Sequence, residues 1–505
     1  NFLLVGHIME LVNIPTGNRP SVAHFCGKSA EKDFQGWLLN EINGWTIPPD
    51  IPPHIEVVCV ASEGVAESSP IVAQCKRFGI PLTVLGSDMT DDEWMERRHF
   101  NKLYLLRKHI SSGKAKPYLL VLDASDILLC GSVADIASAY HRHYDGKIVF
   151  GAEVKFMMKT DLWNKYVFDS GKFDLAHNEA FEIRTAFERD CRTYAEWKYL
   201  NGGMMIGQRD SIASALDAAI ALAEVVPDGI YKCDQSIWMH LWHARKEFGI
   251  ELDYECLMFQ NLNRALPWDF CIDDKAEARK DDGTVDLLYA FCGDSTRDLS
   301  LSIALARKNL KNLGKIFVVG GNPKGVAGIE HIPFLDPNVK NREANMTRKC
   351  LLACNLSRIS DPFIWTSDDE FILKPADART LPLYQKGSLE FGNIDTVYGQ
   401  RTRETYLECV RLGIPHLHYN THVPLPIFKR KYIEAMQRIP WNTETGDGIL
   451  CRSIYGNCVG KHEFIVDAKE SARAAIAALS VPFLSMPNNG SESLYAVIEA
   501  AAARI

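Results

Sequence analysis

Tyr118-Leu-Leu-Val-Leu-Asp-Ala-Ser-Asp-Ile-Leu-Leu129 is an apolar run that breaks at two aspartates, Asp123 and Asp126, before turning apolar again. A short apolar run of this kind, bounded by polar residues, reads as a fully buried strand, and the acids fall where it leaves the core. A second run of the same design, Pro362-Phe-Ile-Trp-Thr-Ser-Asp-Asp-Glu-Phe-Ile-Leu373, lies in the other half of the chain. Each follows a basic, polar stretch with helical spacing, His99–Lys108 in the first case and Asn341–Lys349 in the second. Further upstream, Val22-Ala-His-Phe-Cys-Gly-Lys-Ser29 matches Leu288-Tyr-Ala-Phe-Cys-Gly-Asp-Ser295, and each leads toward a short β-branched strand, Ile55–Val60 or Lys315–Val319. The chain therefore reads as two copies of one α/β architecture, each a mostly parallel sheet covered on both faces.

Working outward, the best linker is the charged stretch Ile272–Thr284. The expected organisation is an N-terminal extension over 1–19, a first domain over 20–274, a linker over 275–284, a second domain over 285–466, and an Ala-rich helical segment over 467–505. Asp467 and Glu470 have the spacing of a capping box for that last segment. A chain of 505 residues has room for two or three domains, each with its own core. With 47% hydrophobic and 24% charged residues it is neither disordered nor collagen-like. The formal charge of −8 argues against a broadly basic nucleic-acid binder. Fourteen cysteines occur singly, without paired Cys-x-x-Cys spacing, and read as reduced core thiols. Apolar stretches fall far short of a membrane span, and the first residues lack a signal peptide's basic start and cleavage site, so the expected location is cytoplasmic, the host cytoplasm if the protein is viral.

Acids at the carboxyl end of a parallel strand sit where open α/β sheets bind ligands. Asp123 with Asp126, and Asp368 with Asp369, are candidates to hold a hard divalent cation, Mg2+ or Mn2+, against a diphosphate. Gly202 and Gly203 lack side chains that would keep a ligand from the backbone. Asp234 is either a general base toward an acceptor hydroxyl, a partner for sugar hydroxyls, or a helix cap.

These residues also carry a resemblance. Leu122-Asp-Ala-Ser-Asp-Ile-Leu-Leu129, Tyr199-Leu-Asn-Gly-Gly-Met-Met-Ile-Gly207 and Cys233-Asp-Gln-Ser-Ile-Trp238, in that order, resemble the GT-A glycosyltransferase domain of collagen lysyl hydroxylase/glycosyltransferase enzymes and their viral relatives, over roughly residues 20 to 265. The resemblance implies Mn2+ on Asp123 and Asp126 with the diphosphate of a UDP-sugar, Asn201, Gly202 and Gly203 as a turn lining the cleft, and Asp234 and Gln235 facing the sugar. It also implies a late histidine as third metal ligand, yet Leu252–Leu262 contains none. His240 and His243 are nearer in sequence, on a Trp-rich stretch that reads as core.

The second half resembles glycosyl- and sugar-phosphate transferases of capsule and surface-polysaccharide synthesis, through Ser360–Pro375, His418-Tyr-Asn-Thr-His-Val-Pro-Leu-Pro426 and Asp447–Asn457. Here Asp368 and Asp369 would meet metal and diphosphate, and His422 would bind metal or orient the acceptor. Arg342, Arg348 and Lys349 would meet phosphate, and Asp447 would act as base. The combined expectation is a tandem GT-A-type, metal-dependent glycosyltransferase using a nucleotide sugar, with two sequential transfers open to it. A hydroxymethylated pyrimidine in phage DNA leads the acceptors, ahead of a surface saccharide or a protein side chain. The alternatives are a sugar-phosphate transferase and a non-catalytic nucleotide-sugar-binding protein.

Overall fold

The computed structural model describes residues 9–25, 32–154, 179–190, 197–225, 233–262, 269–292, 296–334, 341–390, 394–441, 448–460, 463–468, 482–486 and 492–503. The chain divides into two compact α/β units, residues 1–272 and 273–505.

The first unit is built on a six-stranded sheet in the order Leu82–Leu85, Ile55–Val60, Tyr118–Asp123, Tyr199–Gln208, Ile148–Glu153, Ile250–Asp253. The first three strands run parallel, the Tyr199 strand runs antiparallel to both of its neighbours, and the last two are parallel to each other. Leu119, Leu120, Val121 and Leu122 are wholly buried, as a strand covered on both faces requires. The helix Asn101–Ser111 turns Leu103, Leu106 and Ile110 inward at helical spacing, and the same face buries Asn101 and Lys102. Ser132 and Asp135 cap the next helix, Val133–His143, reciprocally.

A separate three-stranded sheet sets the site. Val22–His24 pairs parallel with Phe259–Asn261 and antiparallel with Ile127–Leu129, with His24 opposite Ile127. Because Ile127 directly follows Asp126, that register carries His24 to the turn between the two aspartates.

The second unit has a five-stranded sheet in the order Glu330–Pro333, Leu313–Gly320, Val285–Phe291, Phe363–Thr366, Leu425–Ile427, all parallel except the last. The two Phe-Cys-Gly segments thus follow strands in different places. Val285–Phe291 lies inside the large sheet, whereas Val22–His24 lies outside its own. The matched order of strand, basic helix and acid-ended strand is present in both units; the strand-for-strand copy that the repeats suggest is not.

The 467–505 segment is also more than a helix. Phe483–Ser485 forms a strand antiparallel to Glu370–Ile372, and the helix Glu492–Ala503 packs Leu494, Ile498 and Ala502 with Leu305 and Phe371. Asp467 is buried and paired with other side chains, as described below, and Glu470 lies outside the described residues. Trp238 and Trp242 are core, the latter stacked on Phe187 at 3.8 Å between ring centroids. Twelve cysteines among the described residues are free thiols, most of them buried.

Candidate functional site

In the first unit, Asp123 ends its strand and Asp126 follows on the turn. His24 reaches them from the small sheet, its Nε2 3.2 Å from Asp126 Oδ1, and one donor atom from each of the three lies within 4.8 Å of the others. Asn261 contacts His24 Nδ1 at 3.3 Å and so fixes the ring from behind. Burial alone would push the His24 imidazole down, but Asp126 beside it prevails and raises it. Burial pushes the Asp126 carboxyl up, and the charge and hydrogen bond of His24 override this and hold it low. Both directions describe an ion pair.

Lys102 is the second organiser of this site. Its ammonium is buried, 2.6 Å from Asp123 Oδ1, 2.5 Å from the Gly202 carbonyl and 3.7 Å from Asp234 Oδ2. One cation thereby joins three chain segments. Burial with Asp123 nearby raises the Asp234 carboxyl, although Lys102 pulls it the other way. Asp234 starts the helix Asp234–Ala244 but makes no side-chain cap; Cys233 holds the cap position.

Asn201, Gly202 and Gly203 are not a turn. They lie within the strand Tyr199–Gln208, where the register against Ile148–Glu153 slips between Phe150 and Gly151. A bulge of this kind re-aims a strand locally. A methyl at Gly203 would meet His24 Cε1 at 2.7 Å and Asp123 Oδ2 at 2.9 Å, so glycine is what lets the strand lie against the acids. Gly203 N–H donates to Asn201 Oδ1 at 2.9 Å and Gly202 N–H to Gln235 Oε1 at 3.2 Å. Gln235 in turn donates to Glu153. Asp123, Asp126, Asn201, Gly202, Gly203, Asp234 and Gln235 therefore converge on one place.

Sequence reasoning missed His24, Lys102 and Glu153. His24 was visible only inside a repeat, and its partner acids are about a hundred residues on. The segment Leu252–Leu262, which has no histidine, supplies instead Asn261, the residue behind His24. Asp253 is structural, its carboxylate accepting from the amides of Leu257, Met258 and Phe259.

A divalent cation fits the first-unit cluster by donor chemistry, one imidazole and two carboxylates around a cradle that a Cβ would fill. Among the described residues it is the cluster of three such donors with that spacing.

In the second unit Asp368 and Asp369 follow the Phe363–Thr366 strand. Burial and neighbouring Asp369 push the Asp368 carboxyl up to about 6. Asp369 Oδ2 accepts from the Ser485 hydroxyl at 3.3 Å. Glu370 is buried and engaged by Arg452, 3.0 Å away, and by the Thr366 hydroxyl at 2.9 Å. Arg452 also lies over the Trp365 ring. His422, at φ +54°, has its Nδ1 2.9 Å from Asp467 Oδ1, and Lys386 pairs with the same carboxylate. Burial would raise Asp467, but these two partners hold it well below the usual carboxylate range.

The three basic candidates of this unit separate. Arg342 is exposed at the first turn of the helix Arg342–Asn355. Arg348 is buried against Trp441. Lys349 is buried with its ammonium 3.0 Å from the Phe291 carbonyl. Asp447 lies outside the described residues; its neighbour Gly448 sits against Asn341, which caps that helix, and Glu343 in its first turn.

No family model matches this chain, and no curated protein matches it. Among solved structures, one described as the apo form of the bifunctional glycosyltransferase WbbM is similar at 9% identity, over 89% of this chain and 97% of that one, with a TM-score of 0.31. A likeness at that level assigns neither an activity nor a residue. No helix among the described residues is long and apolar enough to cross a membrane.

Proposed function

We propose that the protein is a metal-assisted glycosyltransferase that moves a sugar from a nucleotide-sugar donor, first among them a UDP-sugar, to an acceptor hydroxyl. The observation that carries this reading is the convergence of His24, Asp123 and Asp126 with the glycine-cleared strand at Gly202-Gly203, at the carboxyl end of the central strand. His24, Asp123 and Asp126 would hold Mn2+ or Mg2+, which when bound supplies positive charge to the departing diphosphate. Gln235, tied to Gly202 and Glu153, positions the sugar. Asp234, raised by burial, takes the proton of the acceptor hydroxyl as its oxygen bonds to the anomeric carbon and the bond to the diphosphate breaks. Lys102 keeps Asp234, Asp123 and the Gly202 carbonyl in one arrangement.

In this proposal Asp368 and Asp369 mark the place of a second transfer, with His422 beside the acceptor. The acceptor to test first is a hydroxymethylated pyrimidine in DNA. The experiment is nucleotide release from UDP-, GDP- and CDP-sugars with Mn2+, with and without DNA containing hydroxymethylcytosine or hydroxymethyluracil, a surface saccharide or a hydroxylated peptide. Nucleoside diphosphate release lost in His24→Ala and Asp126→Asn, with a sugar's mass gained by one acceptor, supports the reading and names the acceptor. Nucleoside monophosphate release would instead establish sugar-phosphate transfer. Binding without release from any donor would leave a non-catalytic binder.

A further inference from the structure

At the amino end of the first unit's sheet two imidazoles face each other. His54 directly precedes the strand Ile55–Val60, at the close of the stiff, proline-rich stretch Ile47-Pro-Pro-Asp-Ile-Pro-Pro53. His141 sits in the last turn of the helix Val133–His143. Their Nε2 atoms are 3.4 Å apart. That is long for a hydrogen bond, which nitrogen donors close to about 2.7–3.2 Å. It is the spacing that a tetrahedral ion imposes: with metal–nitrogen bonds of about 2.0–2.1 Å and an angle of about 109°, two ligand nitrogens stand about 3.3–3.4 Å apart.

The His141 ring is set from behind. Its Nδ1 lies 3.1 Å from Asp145 Oδ1, the carboxylate–histidine arrangement that orients a metal-binding ring and leaves the lone pair on Nε2. Both rings are also held by packing. Tyr118 meets each of them edge to face, with centroids 5.5 Å from His54 and 5.0 Å from His141, and its N–H donates to the His54 carbonyl at 3.1 Å. Buried Tyr140 packs against His141 as well. The pair is still open to water, since the His141 side chain is 35% exposed.

We propose that His54 and His141 form a binding site for a borderline transition-metal ion, Zn2+ first, with Asp145 behind His141. Two imidazoles select such an ion over Mg2+ or Mn2+, which favour oxygen. The remaining positions of a tetrahedral shell go to water. The ion joins the approach to one strand to the end of a helix 87 residues on, and so acts as a cross-link. This site is distinct from the His24, Asp123 and Asp126 cluster. Tyr118 opens the strand that Asp123 ends, so the two sites lie at opposite ends of it, roughly 17 Å apart at about 3.3 Å per residue.

Diethyl pyrocarbonate attacks the same imidazole lone pair that the ion takes, which makes the site readable residue by residue. The full chain is treated with no metal, with Zn2+ alone or with Mg2+ alone, and carbethoxylation of each histidine is followed by mass spectrometry. Zn2+ should slow His54 and His141 together, at least tenfold, and Mg2+ should slow neither. In His54→Gln the Zn2+ needed to protect His141 should rise at least tenfold, and His141→Gln should do the same to His54. Asp145→Asn should raise it for both by about tenfold or more, and Asp126→Asn should leave it unchanged. Both histidines lie outside the buried core, so the glutamine variants should melt with the parent in the absence of metal, and lost protection there is not lost fold. Equal rates with and without Zn2+ overturn the proposal. So does protection of one histidine without the other, undiminished protection of His141 in His54→Gln, or equal protection by Mg2+. Because the readout is modification of named histidines, the site stands or falls apart from the glycosyltransferase reading.

Discussion

Replacing Lys102 with methionine tests whether one ammonium organises the first-unit site. Its side chain is 9% exposed, and its partners Asp123 and Asp234 are 39% and 11% exposed. Removing one member of a buried ion pair typically costs about 3–5 kcal/mol, because the charge left behind has no counterion. Asp123 is open enough for water to screen part of that, which brings the expected loss to about 2–3 kcal/mol. For a unit of this size that is a drop of roughly 5–10 °C in its melting temperature. The second readout has the opposite sign. Lys102 competes with a divalent cation for Asp123, and two cations sharing a partly exposed site repel by about 1–2 kcal/mol. Lys102→Met should therefore bind Mn2+ roughly fivefold to thirtyfold more tightly, by calorimetry or competition with a fluorescent chelator, while nucleotide release falls. A residue that merely supported the fold would weaken Mn2+ binding when lost. An unchanged melting temperature together with unchanged or weaker Mn2+ binding would refute the reasoning.

Gly203→Ala should keep the fold but cut Mn2+ affinity and nucleotide release at least tenfold, since its methyl meets His24 at 2.7 Å; equal binding in the variant contradicts the cradle. In the second unit, Arg452→Met should cost about 3–5 kcal/mol by stranding buried Glu370, and adding Glu370→Gln should recover part of it, as a denaturant double-mutant cycle will show. Asp368 carries the pH prediction. With its carboxyl pushed up to about 6 in the fold, against about 3.9 unfolded, folding favours the protonated form. That contribution is present below pH 4 and lost as pH rises through 6. Asp368→Asn should therefore be more stable than the parent by up to about 2–3 kcal/mol at pH 7.5 and equal to it at pH 4, measured without metal. Asp467→Asn should do the reverse: the depressed carboxyl stabilises above pH 4 and ceases to as pH falls, so the variant loses stability at neutral pH and converges with the parent in acid.

The strands Ile55–Val60, Tyr118–Asp123, Leu313–Gly320 and Phe363–Thr366 were legible because buried strands announce themselves by apolar runs, and the acids at Asp123 and Asp368 stand out against them. The Tyr199-Leu-Asn-Gly-Gly segment was placed at the site but read as a turn, since two glycines usually mark one; pairing on both sides holds it extended. His24 and Lys102 were hidden for another reason. Each is a single polar residue in an otherwise ordinary strand or helix, and only tertiary pairing shows that it points at an acid. Asp467 shows the opposite error, a local signal overridden by distance. Its spacing with Glu470 suggests a cap, while its carboxylate is taken by His422 and Lys386 from more than forty residues away.

The strand Phe483–Ser485 has a consequence in time. Ser485 and Met486 are what Asp369 leans on, through a hydroxyl and a backbone amide, and Ser485 comes 116 residues later. A ribosome adding about 5–20 residues per second needs roughly 6–23 seconds to cover that interval. From Ile427 onward, over the second half of that interval, the five-stranded sheet of the second unit has all of its strands, but its acidic turn lacks this support. The second unit therefore finishes its framework well before it finishes its site, and a nascent chain paused in that window would show a folded sheet with an unset acidic turn.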